Sequence, residues 1–301
     1  MPARPGQRRL KIEAWALVGP AVLIYALFVL VPIAGAVIMS FADLRLSGGG
    51  WTFTFGNYAE ALGAPLFWRA LGHNFLLLAA SLLVQIPAAL GLALFVAHLG
   101  RLRSLFRAGY FLPMMITSAA IGWVWALIFD PVSGPVNSLL ESCGVGAESL
   151  PEWLGSQWLA LPTVIFVISW RYIGFHMVIL LAGLMSIPQE LYEAARVDGA
   201  GAWECFRYVT LPQMSRPLKI SAMLAVVGSM RYFDLVYIVT KGGPAGATEL
   251  LATYMFSVGL EEGGRYSYGA ALAVLLCVVS FAVVGGARLL LPREEEAEVV
   301  R

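Results

Sequence analysis

The sequence predicts an all-α membrane protein that crosses the bilayer six times, with both termini on the cytoplasmic side. Three observations carry this. The 301-residue chain is 59% hydrophobic and only 13% charged, where soluble domains hold roughly 25% charged residues. Six stretches are apolar over the ~20 residues that a helix needs to cross the hydrocarbon core. Lys and Arg fall alternately in the segments between those stretches, as the positive-inside rule requires of such a chain.

The elements follow in order. The basic N-terminus "MPARPGQRRLKIEAW" precedes a long apolar run. That run is too long for a secretion signal and no small-residue cleavage site closes it, so it is expected as a retained first span, residues 14–40. The loop "GGGWTFTFGNYAEAL" at 48–62 should lie at the surface and end in a short helix. The remaining spans are expected at about 71–97, 108–129, 158–185, 218–240 and 268–291. All must be helices, because lipid leaves backbone groups no other partner. The segment 131–157 contains Glu141, Glu148 and Glu152 and no Lys or Arg. It is also rich in turn formers, and is expected outside. Trp51, Trp153 and Trp158 should sit at the outer interface. Of the 20 Lys and Arg, 14 fall on the cytoplasmic side of this arrangement, four outside and two, Arg171 and Arg231, within spans. The tail "REEEAEVV" is a solvated charge run. Pro20, Pro32, Pro87 and Pro113 lie inside spans, where they can bend helices, and no role is assigned to them. The whole chain, 1–301, is expected as one transmembrane domain.

One polar segment stands out. Residues 186–216, on the cytoplasmic side between spans four and five, carry Glu193, Arg196, Asp198, Glu204 and Arg207. Ser186 and Gln189 have capping-box spacing and Pro188 suits a first helical turn. A short helix should start there and run through Arg196, with Gly199 and Gly201 ending it. A second should cover 203–209, and Ser215 and Pro217 should open span five. Ala194, Ala195, Gly199, Ala200, Gly201 and Ala202 make this helix–turn–helix small enough for another backbone to approach. The competing reading is an amphipathic hairpin resting on headgroups. Such hairpins carry a Lys/Arg-rich polar face, whereas this one leads with acids.

"EAA" at 193–195, "DGA" at 198–200, Phe206 and "LP" at 211–212 resemble the EAA loop of ABC importer permeases. "WVWALIFDPVSGPVNSLL" at 123–140, "LAGLMSIPQELYEAA" at 181–195 and "FDLVYIVTKGGPAGAT" at 233–248 resemble further signatures of the carbohydrate-uptake, maltose-type group. The resemblance implies a type I permease fold whose loop is a coupling helix inserted into a cleft on a cytoplasmic ATPase. Glu193 would pair with a basic residue there and Gly199 would hold the turn. Ala194 and Ala195 would permit close docking, and Asp198 and Ala200 complete the motif. The implied partners are a second homologous permease, two ATPase subunits and an extracytoplasmic solute-binding protein, all serving the cytoplasmic (inner) membrane of a prokaryote. Nothing points to nucleic acid. ATP and Mg²⁺ would be held by the ATPase, with no cofactor on this chain.

The chain's own inventory fits that division of labour. Lysine occurs only at 11, 219 and 241, never after glycine, so a P-loop G-x-x-x-x-G-K-[ST] is impossible. His73, His98 and His176 cannot form H-E-x-x-H, and no G-x-S-x-G occurs, so no enzyme is expected. Cys143, Cys205 and Cys277 form no C-x-x-C pair and are read as free thiols.

Ionisable residues inside spans are expensive and mark candidate functional positions. These are Arg171 and His176 in span four, and Arg231 and Asp234 in span five. Arg231 and Asp234, three residues apart on a helix, either pair with each other or line a wet path. Trp170, Tyr172, Phe175, Tyr232 and Tyr237 either stack on a sugar ring or merely pack between helices. Two alternatives stand beside the sugar importer. One is an importer of a phosphorylated polyol. The other is an ion-coupled secondary transporter, which would show inverted repeats and interrupted helices that the sequence does not display.

Overall fold

The computed structural model describes residues 17–42, 52–261 and 264–290. The basic N-terminus, Arg45, Trp51, the acidic tail and the last residue of the sixth expected span lie outside the described residues. Among those described, all regular structure is helical apart from one antiparallel bridge, Ala42 to Phe53.

Thirteen helices are used below. Helix α1 is Leu17–Ser40, α2 is Gly56–Gly63, α3 is Pro65–Ala97, α4 is Gly100–Met115 and α5 is Ser118–Ile128. Helix α6 is Pro135–Ser142, α7 is Ala160–Met185, α8 is Gln189–Val197 and α9 covers 202–213. Helix α10 is Ser215–Met230, α11 is Asp234–Thr240, α12 is Leu251–Phe256 and α13 is Tyr266–Leu290. Four of them, α1, α3, α7 and α13, are each long and apolar enough to cross a membrane.

The other two expected spans are not single helices. Residues 108–129 fall on α4 and α5, which meet at 95°, and residues 218–240 fall on α10 and α11, which meet at 44°. At the first break Ile116 and Thr117 are extended, and Thr117 caps α5 by accepting a hydrogen bond from Ala120 N–H at 3.3 Å. Pro113, in the last turn of α4, cannot donate a backbone hydrogen bond, which weakens the helix just before the break. At the second break Arg231 closes α10 and Phe233 is non-helical. The second span also begins earlier than expected. Pro65 occupies the first position of α3, where its fixed φ suits a helix start, and Arg69 and His73 hide that start from a hydropathy count.

Two compact units can be distinguished by contact, one of residues 1–63 with 255–275, the other of 64–254 with 276–301. In the first, Phe41 packs against Phe53, Phe55 and Tyr58, and Asn57 donates to the carbonyls of Ser40 and Ala42 at 3.0 Å each. Arg265 donates to the Glu60 carboxylate at 2.6 Å and lies over the Tyr268 ring.

The second unit is built around α7. One cluster joins its Val164, Val167 and Ile168 to Leu77, Ile121, Leu235 and Leu250. Another joins its Met177, Leu180 and Leu181 to Ile86, Ala89, Val96 and Met214. Lipid tails are as apolar as leucine, so helix association here depends on close packing and hydrogen bonds rather than on escape from water. Gly174 shows how close: a Cβ at that position would fall on the carbonyl of Tyr110 in α4.

Candidate functional site

The polar segment 186–216 forms two short helices locked into a hairpin. Helix α8 ends in a Schellman closure. Gly199 adopts a left-handed φ of 88°, its N–H donates to Arg196 O at 3.1 Å, and Ala200 N–H donates to Ala195 O at 2.9 Å. Helix α9 starts with Glu204 reaching back to accept from Gly201 N–H at 2.5 Å. The two helices are fastened by a 3.0 Å hydrogen bond between Tyr192 Oη and Thr210 Oγ1, with Cys205 buried. Glu193, Ala194, Asp198 and Gly199 are exposed, while Ala195 and Ala200 are half-buried. The hairpin therefore presents a hydrogen-bonded turn on which Glu193 and Asp198 are exposed, with Arg196 and Val197 exposed between them.

The expected capping box at Ser186 and Gln189 is not made. Ser186 closes α7, and its hydroxyl donates to Gly183 O at 2.7 Å, satisfying a carbonyl that the helix end leaves open. Pro188 precedes α8 instead of lying in its first turn. Gly201 has an ordinary negative φ, so only Gly199 needs to be glycine for the turn.

Three of the four ionisable candidates, His176, Arg231 and Asp234, meet at one cavity of about 420 Å³. Tyr172 and His176 from α7 line it, together with Arg231, Tyr232 and Asp234 from the α10–α11 break. Tyr172 and Tyr232 meet edge to face at 6.1 Å, and Phe175 adds a third ring to the wall. His176 Nδ1 shares a 2.7 Å hydrogen bond with Ser221 Oγ. The helix-face pair of Arg231 with Asp234 is not made, because the helix ends at one and begins again at the other. Asp234 Oδ2 accepts from Ser118 Oγ at 3.1 Å instead.

Arg171 is placed differently. It is buried and is not among the residues lining the cavity. Its Nη1 donates to Ser118 Oγ at 2.7 Å and its Nη2 to Ile116 O at 2.9 Å. It thus clasps the break between α4 and α5, satisfying backbone that the bend frees. Among the aromatic candidates, Trp170 packs against Trp125 at 5.2 Å and lines a separate, apolar cavity, while Tyr237 stacks on Phe233 at 5.1 Å. The segment 241–248 is a turn held by Thr248, whose hydroxyl bonds with Thr240 Oγ1 at 2.7 Å and with Gly243 O at 2.8 Å.

Residues 85–295 match the family of binding-protein-dependent transport system inner membrane components. The chain belongs to that family. It is 30% identical over 292 residues to the diacetylchitobiose uptake system permease NgcF of Streptomyces coelicolor, covering 92% of this chain and 82% of that one. It is 31% identical over 277 residues to the arabinooligosaccharides transport system permease AraP of Bacillus subtilis, covering 91% and 86%. Its fold is that of a chain in a bacterial ABC transporter involved in the import of the acidic polysaccharide alginate. That match has a TM-score of 0.84 at 23% identity and covers 97% of this chain and 99% of that one.

For this inner membrane component the sequence missed the polar residues that serve the broken helices. Ser118 and Asn74 are the main ones. Asn74 is fully buried, donates to Ser229 O at 2.8 Å and accepts from Leu251 N–H at 3.0 Å. Ser81 and Gln85 also line the cavity. The available signal was the presence of Asn, Gln and Ser within an apolar 33-residue helix, since buried polar groups need partners.

Proposed function

We propose that this chain is the membrane-spanning permease subunit of an ATP-driven importer that carries a sugar or oligosaccharide into the cell. The family membership supports the transport role, and the permeases named above support the sugar class. The observation that carries the mechanism is the hairpin with its exposed Glu193, Ala194, Asp198 and Gly199, braced by the Schellman turn and the Tyr192–Thr210 bond. A stiff element transmits a push where a floppy one absorbs it. Closure of an ATPase dimer against this tip would be carried into the helices that α8 and α9 join, switching the cavity between two states.

In this reading each bent pair is one crossing, giving six spans in one permease domain with both termini in the cytoplasm, supported by the distribution of Lys and Arg. A second permease, two ATPase subunits and an extracytoplasmic binding protein complete the machine in a prokaryotic cytoplasmic membrane, and ATP with Mg²⁺ is held by the ATPase. The cavity is the solute path. Tyr172, Phe175 and Tyr232 offer ring faces to the apolar side of a pyranose, while His176, Arg231 and Asp234 offer hydrogen-bonding groups to its hydroxyls. The helix interruptions expose backbone where it lines a cavity, the setting in which membranes tolerate it.

The test is to purify the tagged chain with its co-expressed neighbours, reconstitute it with the binding protein, and measure ATP hydrolysis and uptake of labelled diacetylchitobiose, lactose and arabinotriose. Glu193→Lys should leave the complex assembled and uncouple hydrolysis from uptake. Uptake at the normal rate in that variant would overturn the coupling assignment, and solute movement without ATP would overturn the importer.

A further inference from the structure

Ser118 stands where both helix interruptions meet. It is the first residue of α5, directly after the 95° break. Its hydroxyl oxygen receives a hydrogen bond from Arg171 Nη1 at 2.7 Å, and its proton goes to Asp234 Oδ2 at 3.1 Å. Asp234 is the first residue of α11, directly after the other break. A hydroxyl has one proton to give. The buried guanidinium can only donate, so it claims a lone pair of Ser118 and leaves the proton for the carboxylate. The order of donation from Arg171 through Ser118 to Asp234 is thereby fixed. Of the three, Asp234 alone lines the cavity.

We infer that Ser118 is a positioning residue for transport, aiming the Asp234 carboxylate at the passing solute. The inference rests on the reading of the cavity as the solute path. Asp234 is exposed, and without this bond its side chain is free to rotate about χ1 and χ2. With one oxygen held, the other keeps a constant direction at the cavity wall. The same bond ties the half-helix α11 to the half-helix α5, so the orientation of the carboxylate follows the relative position of the two breaks. A group arranged in this way bears on movement of solute already delivered and not on capture of the loaded binding protein.

The experiment compares Ser118→Ala, Ser118→Thr, Asp234→Asn and the Ser118→Ala/Asp234→Asn double variant in the reconstituted complex. Uptake of whichever of diacetylchitobiose, lactose and arabinotriose the unmodified complex moves fastest is measured against binding-protein concentration. Ser118→Ala should lower the maximal rate about tenfold, the scale of one charge-assisted hydrogen bond, with the half-saturating binding-protein concentration unchanged. Ser118→Thr, which keeps the hydroxyl, should restore most of the rate. The double variant should be no slower than Asp234→Asn alone, because a residue acting through another has nothing left to act on. An infrared difference spectrum of unmodified minus Asp234→Asn protein isolates the Asp234 carboxylate stretch, and Ser118→Ala should move that band. An unmoved band, or losses that simply add in the double variant, would overturn the inference while leaving the path intact. Normal uptake by Asp234→Asn would sink the path reading, and this inference with it.

Discussion

Asn74 in α3 holds the broken end of α10 through Ser229: its Nδ2 donates to Ser229 O at 2.8 Å, while its Oδ1 accepts from Leu251 N–H at 3.0 Å at the start of α12. One side chain thus serves one helix that has stopped and another that is about to begin, at a position fully buried within the helices. Asn74→Ala removes these bonds together with a longer one from Nδ2 to Met230 O at 3.4 Å, and leaves buried backbone carbonyls and a buried N–H without this partner. The expected loss is about 2–4 kcal/mol, taking about 1–3 kcal/mol for each orphaned group with some relaxation. Asn74→Asp should fare no better, because an ionised carboxylate cannot donate to Ser229 O. Thermal unfolding of the purified chain in detergent checks this, with a lowered midpoint expected for both. A midpoint unchanged for Asn74→Ala would mean the broken end is held by something else.

Gly174 offers a second, sharper test. The space a Cβ would need is taken by the Tyr110 carbonyl, so even Gly174→Ala forces α4 and α7 apart. Backbone cannot swing aside as a flexible side chain can. Overpacking of this kind costs about 1–3 kcal/mol, and more when no rotamer relieves it. The expected outcome is reduced yield and a lowered unfolding midpoint. Gly63→Ala, where nothing lies within 4 Å of the added carbon, should leave both unchanged and serves as the control.

How far the sequence could be read follows from what kind of signal each feature leaves. Helix α7 is a long unbroken apolar run, and its observed bounds of Ala160–Met185 differ from the expected 158–185 by two residues. The turn of the hairpin was legible because a glycine closing a helix is a local device: Gly199 takes its left-handed turn where the residue order required one, whereas the capping box expected at Ser186 and Gln189 is not made. The breaks at 116–117 and 231–233 were not legible. Apolar composition has no period that distinguishes one bent crossing from one straight one. Local clues to both breaks are nevertheless present. Thr117 before "SAAI" is an N-cap followed by good helix formers, and Arg231 and Asp234 are a cation at a helix end and an acid at a helix start. Read as a pair three residues apart, the same two charges suggested a continuous helix. Arg171 was legible as unusual but not as to its purpose, because its partners Ile116 and Ser118 lie more than 50 residues away.

The outward placement of residues 131–157 can be checked with a thiol already in the chain. Cys143 is exposed just after α6 and Cys205 is buried in the hairpin. In a variant retaining only Cys143, a membrane-impermeant maleimide added to intact spheroplasts should label the protein to near completion. In a variant retaining only Cys205, it should label neither spheroplasts nor sealed inside-out vesicles until the protein is unfolded. Labelling of Cys143 from inside-out vesicles alone would reverse the orientation.

If the hairpin couples to an ATPase as proposed, two contributions can be separated in it, surface chemistry and stiffness. Glu193 supplies charge at the tip, whereas Gly199 supplies the closure of α8. A β-branched residue at 199 would have to adopt φ near 88°, at a cost of about 1–2 kcal/mol, or else open the Schellman turn and release the Arg196 and Ala195 carbonyls. Gly199→Val should therefore loosen the hairpin without removing any docking side chain. The complex should still assemble, with more ATP hydrolysed per sugar moved. Gly199→Asn, which tolerates the left-handed region better, should lie between Gly199→Val and the unmodified protein. Hydrolysis and uptake measured together on the same proteoliposomes decide the matter. If Gly199→Val couples as tightly as the unmodified protein, the rigidity of the turn has no part in transmission and the push must travel through α9 and its Tyr192–Thr210 fastening alone.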